Sequence, residues 1–193
     1  MVWVEEAAAL KLREALERSE RYLYNRHEHG LSDEYAIVLD SEGNQILEKM
    51  GTGNRVDIDR ANWPRLKDAI FTHSHPMGWH YAKGDPRYIG NSFSPADLVF
   101  AVTLDLKEIR AVSRGHLYRM VRPESGWGDV GVLGGKIDRA ANVIGETFMG
   151  AINKGTMTPE EATSRRWHET WLRLAPLEGW HYERIKYDDH TWD

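Results

Sequence analysis

The chain has 193 residues, 41% of them hydrophobic and 28% charged, with a formal net charge of -5 and no cysteine. That composition suits one globular domain with a real core, and it excludes disulfides, thiolate metal sites and a cysteine nucleophile. A mildly acidic chain without a basic run is a poor partner for nucleic acid, and no apolar run approaches the ~20 residues of a membrane span, so neither association is expected.

The sequence begins Met1-Val-Trp-Val-Glu-Glu6, acidic where a signal peptide would be basic, which predicts a cytoplasmic protein. Ala-rich and Leu-rich sequence interleaved with Glu, Lys and Arg predicts a helix over residues 3–28. Leu12, Leu16 and Leu23 fall on or near one face of it, and Gly30 stops it. Glu34-Tyr-Ala-Ile-Val-Leu-Asp40 reads as a strand, Ser41–Asn44 as a turn and Gln45–Met50 as the returning strand. Arg55–Ile58 reads as a further short strand, and Asn62–Asp68 as a short helix with Pro64 near its first turn. Ala69-Ile-Phe-Thr72 is a buried strand running into His73-Ser-His-Pro76.

Residues 77–93 are rich in Gly, Pro and aromatics and read as a long loop, a kind of element that is often functional. Ser94-Pro-Ala-Asp97 opens a helix that continues through Val102. Lys107–Ser113 and His116–Val121 form a hairpin around Arg114-Gly115. Gly126–Gly135 lacks the Lys-Ser/Thr ending of a phosphate-binding loop and reads as a flexible connection. Helices are predicted over 135–153 and 159–174, the second opened by the capping box Thr158-Pro-Glu-Glu161, and Trp180–Tyr187 is a closing strand. This order predicts an α/β (α+β) domain, a mixed central sheet flanked by helices.

One constellation carries chemistry. His73 and His75 are two apart in an extended segment, so both imidazoles point the same way and can reach one ion. Pro76 keeps His75 extended. Ser94 and Asp97 have the spacing of a helix cap, yet with the two histidines Asp97 completes three ligands, leaving a fourth position open as in a catalytic zinc site. Glu34, at the start of the first strand, is the candidate general base beside the ion. Taken alone, the same residues read as a surface glutamate, a histidine pair and an ordinary cap. His80 is a surface or gating residue. His27, His29, His116, His168, His181 and His190 lack partners at ligand spacing.

Glu34, then His73-Ser-His-Pro76, then Ser94-Pro-Ala-Asp97, in that order, resemble the JAB/MPN (JAMM) zinc metallopeptidase family, with some likeness to its RadC-like branch. The resemblance covers roughly residues 34–121, including Gly51-Thr52 and the hairpin after the helix. It implies a cytidine-deaminase-like core over about 31–125, to which residues 1–30 add a helix and 126–193 add helices and a closing strand. It further implies Zn²⁺ held by His73, His75 and Asp97, water activated by Glu34, and an oxyanion stabilised by Ser94. The bond cleaved would be an amide or isopeptide bond in a protein or peptide substrate, such as a ubiquitin-like conjugate. Some members keep the fold as non-catalytic scaffolds, but these tend to lose ligands, whereas all five positions are present here. A RadC-like role in DNA metabolism is the other alternative.

The chain departs from the family in spacing, because residues 76–96 separate the second histidine from Asp97, a longer stretch than usual. Asp85 stands nearer, but Ala82 rather than Ser precedes it by three and Pro86 follows it. The extra segment 77–93 is anchored at the site at both ends. It is therefore expected to wall or cover the cleft, with Trp79 and Tyr88 contacting substrate.

Overall fold

The computed structural model describes residues 2–187. Helix α1 (Val2–Glu28) leads into a hairpin, β1 (Tyr35–Leu39) and β2 (Gln45–Met50). Strand β3 (Ile70–Ser74), helix α2 (Pro95–Thr103) and strand β4 (Glu108–Val112) follow, then β5 (His116–Val121). Helices α3 (Val130–Asn153) and α4 (Pro159–Glu178) precede the last strand, β6 (His181–Lys186). The six strands form one mixed sheet in the order β2-β1-β3-β4-β5-β6. Only β3 and β4 run parallel, joined across α2; every other pair is antiparallel. Among the described residues no helix is long and apolar enough to cross a membrane.

The alternation of side chains along each strand builds two cores. Ala36, Val38, Phe71, Ile109, Ala111, Tyr118 and Met120 face α2, α3 and α4, where Leu98, Leu133, Ile137 and Trp171 complete the larger cluster. Tyr35, Ile37, Leu39, Val112 and Leu117 face the other way, against Ala15 and Leu23 of α1. Because β1 is covered on both faces, its sequence is an unbroken apolar run rather than an alternating one. On α1, buried Ala15, Ser19, Leu23 and His27 recur every four residues, and Gly30, at φ +85°, ends the helix where a side chain would be strained.

Three expected elements differ. Arg55–Ile58 makes no strand; Arg55 instead exchanges backbone hydrogen bonds with Thr52 in a tight local bridge, and β2 remains the sheet edge. The short helix is a 3-10 turn over Arg60–Arg65, set back because the Asp59 side chain caps it by accepting from Ala61 N. The glycine-rich stretch is largely the start of α3, not a flexible connection. The Asp129 side chain accepts from Gly131 N, and burial of Leu133 and Ile137 outweighs the poor helix propensity of Gly131, Gly134 and Gly135.

Between β5 and α4 two histidines, His116 and His168, are buried. Burial, reinforced by the nearby Arg184 guanidinium, depresses both imidazoles to about 4. In the unfolded chain they titrate near 6.5, so between those values the unfolded state binds more protons and folding weakens as pH falls. With a discount for solvent screening, each should cost roughly 1–2 kcal/mol by pH 4. In urea titrations from pH 7 to pH 4.5, His116→Gln should show a shallower loss of stability than wild type. Parallel curves would contradict this.

Candidate metal centre and active site

The site forms at the carboxyl end of β3, where the parallel β3–α2–β4 unit places the N-terminus of α2, the position at which open sheets carry their ligands. Phe71, His73 and His75 follow one another on the face that looks toward α2; His75 lies just past the strand and is still extended (φ -110°, ψ 108°). Strand β1 runs antiparallel to β3 with Ala36 opposite His73. Two residues further along that register, Glu34 falls opposite His75 on the same face. A bond from Tyr35 N to Ser74 Oγ at 3.1 Å holds the two strand ends together.

His73, His75 and Asp97 offer ligand atoms within 4.8 Å of one another, and the group could hold one metal ion. The two Nε2 atoms are 2.9 Å apart. His73 Nε2 lies 3.5 Å from Asp97 Oδ1, and His75 Nε2 lies 3.6 Å from Oδ2. Asp97 is aimed by its own helix start: Ser94 N and Ser94 Oγ both donate to Oδ2, at 2.7 and 2.9 Å, while Asp97 N donates back to Ser94 Oγ. Thus the capping box and the candidate ligand carboxylate are the same structure. His75 Nδ1 lies 3.1 Å from the Asn91 carbonyl and donates to it, which leaves Nε2 as the ligand atom.

The charges reinforce one another. Burial alone would lower the His75 imidazole, but the hydrogen bond and charge of Asp97, with Glu34 adding, raise it to about 9. Burial likewise opposes ionisation of Asp97, yet the facing imidazoles hold it well below the usual carboxylate range. Glu34 is buried, and burial pushes its carboxyl up, partly offset by His75 and His73.

Glu34, His75, Ser94 and Asp97 line one cavity of about 650 Å³. Pro76, Met77, His80 and Asn91 form another wall, with Ser32, Gly53 and Asn54 at the loop beside Glu34. All five residues singled out from the sequence therefore come together, with His73 buried directly behind. Asp85 is excluded as a ligand: Arg87 donates to both its oxygens and holds it at about 2. Asn91, a wall residue that also supplies the carbonyl for His75, carried no signal in the sequence, because a backbone acceptor imposes no residue type. His190 lies outside the described residues.

The segment 77–93 walls the site as expected, but Trp79 and Tyr88 do not reach the cavity. It folds into 3-10 turns at Pro76–His80 and Pro86–Ile89, and it is Met77, His80 and Asn91 that reach the cavity. Trp79 turns to α1, donating through Nε1 to Glu28 Oε1 at 2.9 Å and stacking on His27 at 4.6 Å. Tyr88 lies under the Arg114 guanidinium, 4.2 Å away. Gly78 is pressed so close to the Tyr88 carbonyl that a Cβ would sit 2.6 Å from it. Trp79→Ala should therefore cost roughly 2 kcal/mol, lowering Tm by about 5 °C, with metal content unchanged. A normal Tm with impaired substrate use would instead restore the substrate-contact role.

Comparisons with protein-family models, with curated proteins and with solved structures gave no match.

Proposed function

We propose that this chain is a zinc-dependent hydrolase of the JAB/MPN (JAMM) type, cleaving an amide or isopeptide bond in a protein or peptide substrate such as a ubiquitin-like conjugate. The observation that carries this reading is the meeting of Glu34, His75, Ser94 and Asp97 at one cavity, with His73 grouped with His75 and Asp97 behind it, from three separate stretches of chain.

His73, His75 and Asp97 would hold the ion. Tetrahedral zinc with bonds of about 2.0–2.2 Å sets its ligand atoms ~3.3 Å apart. The 2.9 Å between the two imidazole nitrogens and the 3.5 Å from His73 Nε2 to Asp97 Oδ1 bracket that spacing, and one oxygen of Asp97 lies within 4.8 Å of both nitrogens. Two imidazoles and one carboxylate are also a zinc donor set that leaves a position open. Bound zinc supplies Lewis acidity, which lowers the pKa of water toward neutrality and polarises a carbonyl.

The remaining steps fall to the protein's own groups. Glu34 takes a proton from the attacking water and returns it to the amine nitrogen as the C–N bond breaks, giving a carboxylate and an amine. Its raised carboxyl suits that exchange, since a base poised nearer neutral pH can also give the proton back. Ser94 donates to the oxyanion; its hydroxyl rests on Asp97 Oδ2, so that bond turns to the substrate oxygen as charge develops.

The test is metal analysis of the purified chain together with cleavage of ubiquitin-like fusions and isopeptide-linked conjugates. About one zinc per chain and chelator-sensitive cleavage are expected. A chain that takes up no zinc from solution would overturn the reading.

A further inference from the structure

The Asn91 carbonyl that orients His75 lies in a stretch, residues 90–93, that belongs to no helix or strand. Its position is set instead by side chains from the far end of the sequence. Ser164 Oγ donates to the Gly90 carbonyl at 3.3 Å, and Trp171 Nε1 donates to the Phe93 carbonyl at 2.9 Å. Between them, Ser92 Oγ is 2.8 Å from Tyr182 Oη, which is itself 2.8 Å from His168 Nδ1.

Ser164, His168 and Trp171 recur at i, i+4 and i+7 on one stripe of α4; Ser164 and Trp171 bond this segment directly, and His168 reaches it through Tyr182 of β6. Ser92, Ser164, His168 and Trp171 are all buried. Gly90 closes the other side: at φ +78° it packs so that a Cβ would lie 2.7 Å from Ser113 Cβ. Every neighbour of Asn91 in the segment is thus held, and Asn91 has little freedom left.

We infer that α4 and β6 act as a clamp on the metal site, with Trp171, Tyr182 and His168 as positioning residues that fix the Asn91 carbonyl and, through it, the His75 ring. Groups that orient a ligating imidazole govern how well it binds its ion, and their loss typically weakens affinity by about 10–100-fold. The clamp therefore sets the zinc affinity of the site without touching the ion. This inference rests on the metal reading of His73, His75 and Asp97.

The experiment measures zinc Kd by competition with a chromophoric chelator on the full chain. Trp127→Phe is the matched control, because Trp127 Nε1 also donates to a buried carbonyl, that of Leu106 at 2.6 Å, yet lines no part of the cavity. Trp171→Phe and Tyr182→Phe should each weaken zinc binding about tenfold, while Trp127→Phe stays within about twofold of wild type. Tyr182→Phe deletes only a hydroxyl, so it keeps the test valid if Trp171→Phe fails to fold. Unchanged affinity in Trp171→Phe and Tyr182→Phe overturns the clamp, as does equal weakening by Trp127→Phe. Wild-type protein that binds no zinc overturns the metal reading itself, and the clamp with it.

Discussion

If His73, His75 and Asp97 hold zinc as proposed, replacing His75 by alanine is expected to leave well under a tenth of the roughly one equivalent expected for wild type. Three protein ligands is the usual minimum for a catalytic zinc, and His75 is the one most firmly prepared for the task. It is buried, its Nδ1–H donates to Asn91, and its Nε2 faces both His73 and Asp97. Loss of a supporting group alone costs about 10–100-fold in affinity, so loss of the ligand itself should exceed that. His80→Ala is the informative control, since His80 shares the cavity but lies outside the ligand group. Equal zinc content in wild type and His75→Ala, measured by metal analysis after gel filtration, would end the site assignment.

Glu34→Gln separates the chemistry from the metal. The amide is nearly isosteric and cannot accept a proton, so turnover on a confirmed substrate should fall by roughly 10²–10⁴-fold, the scale of general acid–base catalysis. Zinc content and Tm should hold. Glu34 is anchored through its backbone, its N–H donating to the Gly53 carbonyl and its carbonyl accepting from Gly51 N, and neither bond depends on the carboxylate. Full turnover in Glu34→Gln would show that another group moves the proton. A loss of zinc in this variant would make Glu34 a ligand instead.

Much of this site was legible because each piece is local. His73-Ser-His-Pro76 follows an apolar run, and Ser94-Pro-Ala-Asp97 is a helix start written in four residues. The α+β class was legible for the same reason: β1 is a wholly apolar run, and β3, β4 and β5 are short segments between turns that each carry several apolar residues. What stayed hidden depends on distant partners. Ser164, His168 and Trp171 look like ordinary helix residues until α4 meets residues 90–93, and the sequence contains nothing that announces that meeting. Trp79 and Tyr88 misled for a related reason. An aromatic in a loop near a site reads as a substrate contact, but Trp79 found His27 and Glu28 of α1 and Tyr88 found the Arg114 guanidinium. At Gly131–Gly135 the local signal was present but weak, and tertiary burial overrode it.

The sheet has two outer strands, β2 and β6, and their composition bears on how the molecule behaves in a crowded solution. An open edge offers unpaired N–H and C=O groups to any passing strand, and a flat apolar edge invites aggregation. Here β2 carries Glu48 and Lys49, while β6 carries Glu183, Arg184 and Lys186. An incoming strand would have to bring matching charges in register, so both edges are poor templates for fibrils or runaway pairing. Inner strand β1 has no such guard; its unbroken apolar run is kept from other chains only by lying between β2 and β3 in the folded sheet.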